Sequence, residues 1–388
     1  MKSLLADPDL APVLAALPRA RVVGGAVRDT LAGRAVADID LATPEPPEVV
    51  AAALEEAGVR TLPTGLSHGT VTAISNHRAF EITTLRRDVA TDGRHAEVAW
   101  TEDWREDAAR RDFTINAMSL DQAGQLHDYF GGADDLAAGR VRFVGPAAPR
   151  IAEDYLRILR FFRFYARYGA GPPDGEAAAA ISQGLPGLAL LSAERVWSEL
   201  KKILAADDPV AAMRLMDSLG VLGAILPEGA DAEKLAKLCA AGAPAQPILR
   251  FAALVTGDVA AIAARLKLST AEAETLAAWR HGPVPLPGND AQLRRMLADE
   301  PAEILIGRLW LVSGFGPKWD ALRARLADLP RPVFPLEGRD ALALGAKPGP
   351  AVGVALRAVR QAWLEQGCEM PPKLLTARLK AALREAQR

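Results

Sequence analysis

The sequence predicts an α+β fold: a head of mixed strands and helices followed by a long all-helical remainder. Three observations predict it. Period-two alternation and hairpin turn signals are confined to the first 140 or so residues. Beyond Pro149 the strand signals vanish and helical spacing takes over. Clusters of Pro and Gly at 169–175, 242–247, 282–288 and 345–350 then cut the rest into helix-length pieces. At 388 residues the chain is long enough for two or three domains. Half of it is apolar and 24% charged, which suits substantial cores and excludes a disordered, collagen-like or disulfide-stapled chain. Lys and Arg (46) nearly balance Asp and Glu (48), so a global basic field is excluded, though a local basic patch is not.

Along the chain, a weak apolar stretch interrupted by Asp7 and Asp9 reads as a short amphipathic helix, neither signal nor transit peptide. Arg21, Val22 and Val23 run into Gly24-Gly25 and a helical stretch, 26–32. Residues 37–42 alternate Asp38 and Asp40 against Ile39 and Leu41, as a strand does. Residues 49–57 look helical, and 70–74 and 80–85 read as strands around the turn Ser75-Asn76-His77. A further strand pair flanks 121–124. One long helix is expected over 151–168, with others over 193–204, capped by Ser192 with Trp197 inward, and 209–219. Cys239 and Cys368 lie far apart with no Cys or His at metal-ligand spacing, and no run of 18 apolar residues occurs. A reducing compartment, the cytoplasm, is therefore expected, with no membrane partner.

Three constellations carry chemistry. In the first, Gly24-Gly25 lies between a strand and a helix, where backbone N–H groups can approach an anion, and Arg28 follows one turn later. Asp38 and Asp40, two apart on a strand, present paired hard oxygen ligands beside that cradle, which is what Mg²⁺ takes together with substrate phosphates. In the second, Arg110-Arg111-Asp112 runs into an apolar stretch. Arg111 suits a triphosphate and Asp112 a ribose hydroxyl, while spacing alone favours an ion-pair cluster with Glu106 and Asp107.

The third is Glu153-Asp154-x-x-Arg157-x-x-Arg160-x-x-Arg163. On one helix Asp154 and Arg157 are neighbours, one accepting hydrogen bonds and the other donating. Cytosine and adenine both offer an amino donor beside an acceptor ring nitrogen; uracil and guanine present the reverse. One Asp–Arg pair would accept C and A without a nucleic-acid template. Arg160 and Arg163 continue the row toward a triphosphate. Seven arginines (140, 142, 150, 157, 160, 163, 167) face Glu153 and Asp154 between residues 140 and 170. Arginine suits planar, bidentate recognition.

Gly24-Gly25-x-x-Arg28-Asp29 with Asp38-x-Asp40, then 110–118, then Glu153-Asp154-x-x-Arg157 resembles the class II CCA-adding tRNA nucleotidyltransferases and the related bacterial poly(A) polymerases. Asp128-Tyr129-Phe130-Gly131-Gly132 and residues 194–200 extend the resemblance, which covers the first 205 residues well and the helical half, with 336–363, only weakly. It implies a polymerase-β-like nucleotidyltransferase head (1–139), a helical neck that recognises the base (140–205), and a helical body and tail that bind tRNA (206–388). It implies Mg²⁺ on Asp38 and Asp40, phosphate contacts from Gly25, Arg28, Arg111, Arg160 and Arg163, and CTP and ATP as substrates selected by Asp154 and Arg157. Glu81 is the candidate for the third carboxylate that related polymerases use.

Within the resemblance, Asp92-Gly93-Arg94 is similar to the flexible loop that CCA-adding members need for the final A, or else is an ordinary hairpin loop. His127-Asp128 resembles a phosphohydrolase metal pair but is expected to be structural. Residues 371–388 carry Lys373, Arg378, Lys380, Arg384 and Arg388 against Glu385, a candidate tRNA-gripping tail or a solvated terminal helix. CCA addition leads. A poly(A) polymerase, a CC- or A-adding partial enzyme, and more distantly a non-catalytic RNA-binding scaffold remain open, as does monomer or homodimer.

Overall fold

The computed structural model of the chain describes residues 2–62, 69–91, 96–286, 288–312 and 315–386. It divides into two compact units, Met1–Pro227 and Glu228–Arg388. The first opens with α1 (Lys2–Leu5) and α2 (Ala11–Ala16), two short pieces where one helix was expected. Then follow β1 (Arg21–Val23), α3 (Gly25–Leu31), β2 (Asp40–Thr43), α4 (Pro47–Glu56), β3 (Arg60–Leu62), β4 (Thr70–Ser75) and β5 (Arg78–Thr84). After these come β6 (Arg86–Thr91), β7 (Ala96–Trp100), α5 (Trp104–Ala109), β8 (Met118–Leu120), β9 (Leu126–Asp128) and α6 (Gly132–Ala137). Seven strands make one sheet in the order β3-β4-β5-β2-β1-β8-β9, with β6 and β7 a separate ribbon. Among the described strands of this sheet only β2 and β5 run parallel. Between β4 and β5, Asn76 and His77 both have positive φ, 47° and 68°, as a two-residue turn of matching twist requires.

The sheet has one covered face and one open face. Val22, Leu41, Ile82 and Val71 stand in register across four strands and are all buried. They pack with Val13 and Leu14 of α2 and Val50 and Leu54 of α4. One residue along each strand, the side chains turn to the other face. There the row reads Ser119, Val23, Asp40, Glu81, and the apolar cover is only Val23, Ala42 and Leu85 with Trp104. That open face carries the acidic residues of the row, Asp40 and Glu81. The expected alternation holds, with Ile39 and Leu41 buried and both aspartates exposed, but the regular strand begins only at Asp40.

The rest of the first unit is helical: α7 (Ala147–Glu153), α8 (Leu156–Tyr168), α9 (Gly175–Gly184), α10 (Ala193–Leu204), α11 (Val210–Ser218) and α12 (Val221–Ile225). The single helix expected over 151–168 is therefore two. Asp154 is extended (φ −158°, ψ 108°), and its Oδ1 accepts the Leu156 N–H at 3.0 Å. A short carboxylate that satisfies a free N–H at a helix start competes with continuing the helix, and here it wins. Ser192 stands at the start of α10 with no side-chain cap bond, while Trp197 is buried.

The second unit holds α13 (Ala232–Ala240), α14 (Pro247–Leu254), α15 (Val259–Arg265), α16 (Thr270–Arg280) and α17 (Asp290–Asp299). It continues with α18 (Ala302–Leu311), α19 (Pro317–Asp328), α20 (Gly338–Ala343), α21 (Pro350–Glu365) and α22 (Pro372–Ala386). Leu375, Leu379 and Leu383 of α22 repeat every four residues and pack with Trp363 of α21, which leaves Lys373, Arg378, Lys380 and Arg384 exposed. No described helix is long and apolar enough to cross a membrane.

Candidate active site

Gly24 joins β1 to α3 with φ +64° and ψ −118°, a conformation open to glycine, and a Cβ there would lie 2.9 Å from Nη1 of Arg111. Gly25 opens α3, and Arg28 follows one turn on, as expected. Arg28 is not a free surface cation. Its Nε donates to Oδ1 of Asp29 at 3.0 Å, its Nη1 donates to Oδ1 of Asn116, and its guanidinium lies 4.6 Å from the Tyr168 ring centroid.

Asp40 lies opposite Val23 on one side and Glu81 on the other, so the sheet register sets a carboxylate beside the glycine turn. Crowding of protein around its carboxyl raises the Asp40 pKa. Glu81 and Asp38 push the same way, and Arg111 offsets only part. Such mutual repulsion suits a cation. Among the described residues no group of three or more His, Cys, Asp or Glu gathers as a metal set. The chain thus offers Asp38 and Asp40, with Glu81 alongside Asp40 in register. Two carboxylates fit Mg²⁺, which keeps waters and substrate phosphates in its shell.

Arg110 and Arg111 both pair with Asp107, at 2.8 and 3.4 Å, and Arg111 also donates to the Asn116 carbonyl at 3.4 Å. The ion-pair cluster that spacing favoured is present, with Asp107 as its centre. Asp112 is buried and its carboxylate is engaged on both oxygens. Oδ1 accepts from the Phe113 N–H (2.9 Å) and Asn116 Nδ2 (3.0 Å), and Oδ2 from Arg160 Nε (2.8 Å) and Nη2 (2.5 Å). Those donors occupy the acceptors that the ribose contact expected of Asp112 would use. Burial alone would raise its pKa, but Arg160, Asn116 and the Phe113 N–H outweigh burial and hold it low.

Asp154 and Arg157 are not paired on one helix face. The break before α8 sends the Asp154 Oδ2 to Arg195 Nη2 at 2.7 Å. Arg157 Nη1 donates instead to Glu153 and to the Arg150 carbonyl at 2.7 Å. Each of the two side chains is held from behind by another residue. Arg163 pairs with the buried Glu199 at 2.8 Å. Six of the seven arginines of this stretch have a carboxylate partner, two each on Asp135 and Glu153, one each on Asp112 and Glu199.

Reading the sequence missed Asn116, Arg195 and Glu199 as positioning groups. Asn116 follows the Arg111-Asp112 pair closely enough to have been suspected, since a polar side chain entering an apolar stretch needs a partner. Arg195 and Glu199 gave no such signal, because Asp154 and Arg163, which they meet, lie more than 30 positions away in the sequence. His127 and Asp128 are structural as expected: His127 Nε2 meets Asp121 at 2.8 Å, and Asp128 accepts the Gly132 and Ala133 N–H groups at the start of α6. The loop Asp92-Gly93-Arg94 lies outside the described residues.

A glycine turn, paired carboxylates on the open face of a mixed sheet and an arginine-bearing helix beside them define a nucleotidyltransferase head with a helical extension. Residues 20–142 match the family model described as the poly A polymerase head domain, and residues 173–233 the model described as a probable RNA and SrmB-binding site of polymerase A. The mitochondrial CCA tRNA nucleotidyltransferase 1 of Mus musculus is 39% identical, over 93% of this chain and 86% of that protein. The CCA-adding enzyme of Geobacillus stearothermophilus is 40% identical over 56% of this chain. The crystal structure of the Bacillus stearothermophilus CCA-adding enzyme in complex with CTP superposes with a TM-score of 0.79 at 29% identity, covering 98% of this chain and 99% of that one. The chain belongs to the CCA tRNA nucleotidyltransferase family.

Proposed function

We propose that this protein adds C, C and A to the 3′ end of tRNA from CTP and ATP, without a nucleic-acid template. One observation carries the site assignment. The hydrogen-bonded series Arg28–Asn116–Asp112–Arg160 ties α3, which opens at the glycine turn, to α8. Arg28 and Arg160, both assigned to the triphosphate in this reading, are thereby joined through two side chains.

Asp38 and Asp40 would hold Mg²⁺. Bound there, the ion would lower the pKa of the tRNA 3′-hydroxyl and offset charge on the leaving pyrophosphate. Gly25, Arg28, Arg111, Arg160 and Arg163 bind the triphosphate. Asp112 positions Arg160 and Asn116. Asp154, oriented by Arg195, accepts from the amino group of cytosine or adenine, and Arg157, oriented by Glu153, donates to the adjacent ring nitrogen. Fixed orientation is what lets one pair reject uracil and guanine, whose polarity would leave donors facing donors. The exposed cations of α22 bind the tRNA backbone. Head, neck and body-and-tail are taken as 1–139, 140–205 and 206–388. Cys239 and Cys368 are not joined in a disulfide, which supports a reducing compartment and here the cytoplasm, beside a mouse relative that is mitochondrial by name.

The test is extension of a tRNA transcript lacking its 3′ CCA, with Mg²⁺ and each nucleoside triphosphate alone and then CTP plus ATP. A product three nucleotides longer that needs both nucleotides is expected. A long ladder with ATP alone would make the protein a poly(A) polymerase, a stop after two additions a CC-adding enzyme, and no product a scaffold.

A further inference from the structure

Among the cavities that the nucleotidyl-transfer reading leaves without a role, one adjoins the arginine row. It measures about 610 Å³ and lies in the first unit, between the second half of α8 and the end of α10. Arg28 and Arg163, both assigned to the triphosphate, stand in its wall. Three cations outside that assignment, Arg34, Arg167 and Lys202, line the rest of it against only Asp207 and Asp208 as acids. The cavity thus continues the arginine row of α8 beyond Arg163 to Arg167. From Arg157 to Arg167 the axis of α8 advances about 15 Å.

The cations of this cavity are unevenly matched. Arg163 and Lys202 share one carboxylate, that of Glu199, at 2.8 and 3.0 Å. Arg34 reaches Asp207 at 3.6 Å, a carboxylate almost wholly in solvent, and donates to the Arg167 carbonyl at 2.9 Å. The Arg167 guanidinium is exposed and has no carboxylate partner among the described residues; it lies 5.8 Å from the Tyr168 ring centroid. Burial pulls the Arg163 pKa down, and Arg160 and Arg28 push the same way against Glu199 and Asp112.

Each turn of the proposed reaction forms a bond between the tRNA 3′ oxygen and the α-phosphorus. It breaks the bond from the α-phosphorus to the bridging oxygen, and releases one pyrophosphate, which carries the bond's electron pair, and one proton. Three turns per tRNA require three pyrophosphates to leave while the RNA remains to be extended. A basic cavity walled by Arg28 and Arg163 and by the more exposed Arg34 and Arg167 meets that need.

We infer that this cavity is a pyrophosphate-release subsite, in which Arg34 and Arg167 receive the leaving group from Arg28 and Arg163. The inference rests on the nucleotidyl-transfer reading. The experiment measures inhibition of CTP incorporation by inorganic pyrophosphate, using the full-length Arg167→Gln and Arg34→Gln/Arg167→Gln variants and a tRNA lacking CCA. Tyr168, Phe164 and Glu199 remain in place, and the thermal midpoint verifies folding. The pyrophosphate inhibition constant is expected to rise at least about fivefold, the loss of one or two charge-assisted contacts, with the KM for CTP unchanged. Arg167→Lys, which keeps the charge, is expected to restore inhibition in part.

Unchanged inhibition would overturn the inference. So would a parallel rise in the KM for CTP, which would make the cavity the seat of the incoming γ-phosphate, or a rise in the KM for tRNA alone, which would make it an RNA contact. Failure of the unsubstituted protein to extend tRNA would instead refute the function itself.

Discussion

Replacing Asp112 by Asn tests the link between head and neck most directly. The amide keeps an oxygen for the Phe113 N–H and Asn116, but turns an NH₂ toward Arg160 where Oδ2 accepted two bonds. Removing one partner of a buried ion pair costs about 3–5 kcal/mol. Arg160 keeps 34% of its side chain exposed and can turn to water, so the expected loss is nearer about 2 kcal/mol. For a unit of this size that is about 4–8 °C in Tm. The same change frees Arg160 from its orientation, so the KM for CTP should rise.

A thermal melt and a double-mutant cycle with Arg160→Gln are the assays. Coupling of about 1.5 kcal/mol is expected, and additivity within about 0.5 kcal/mol would refute the argument. The pH dependence gives a second arm. The Asp112 pKa is depressed in the folded protein, so its contribution is present above the ordinary carboxylate pKa and is lost as pH falls through the folded value. The gap in Tm between the protein and its Asn variant should therefore close below about pH 4.

Other outcomes follow from the same geometry. Asp40→Asn should abolish nucleotide addition yet raise Tm at neutral pH, because it removes a carboxylate that burial, Glu81 and Asp38 all destabilise; a lower Tm would contradict that reading. Arg195→Ala, far from the nucleotide in sequence, should relax the choice of C and A over U and G while leaving chemistry in place, read by single-nucleotide incorporation. Gly24→Ala should cost about 1–2 kcal/mol from its positive φ and displace Arg111, which lowers kcat/KM for CTP more than tRNA binding.

Much of the site was legible because its parts are local. The alternation Asp38-Ile39-Asp40-Leu41 needs only the period of a strand, and Gly24-Gly25 needs only a turn between elements. The Ser75-Asn76-His77 turn and the strands around residues 121–124 follow from the same short-range rules. The helix expected through 151–168 failed for a local reason that outweighed its periodicity: the Asp154 carboxylate caps α8, and the backbone bends to let it.

The sequence by itself determined the α+β class, the helical remainder and the residue types of the site, since hydrophobic period and turn chemistry act over a few positions. Tertiary structure alone decided the partners. Asp154 meets Arg195 across 41 positions and Arg160 meets Asp112 across 48, and neither spacing has a period to read. A buried charge takes whichever opposite charge packing brings within reach, and that choice exists only once the helices have docked.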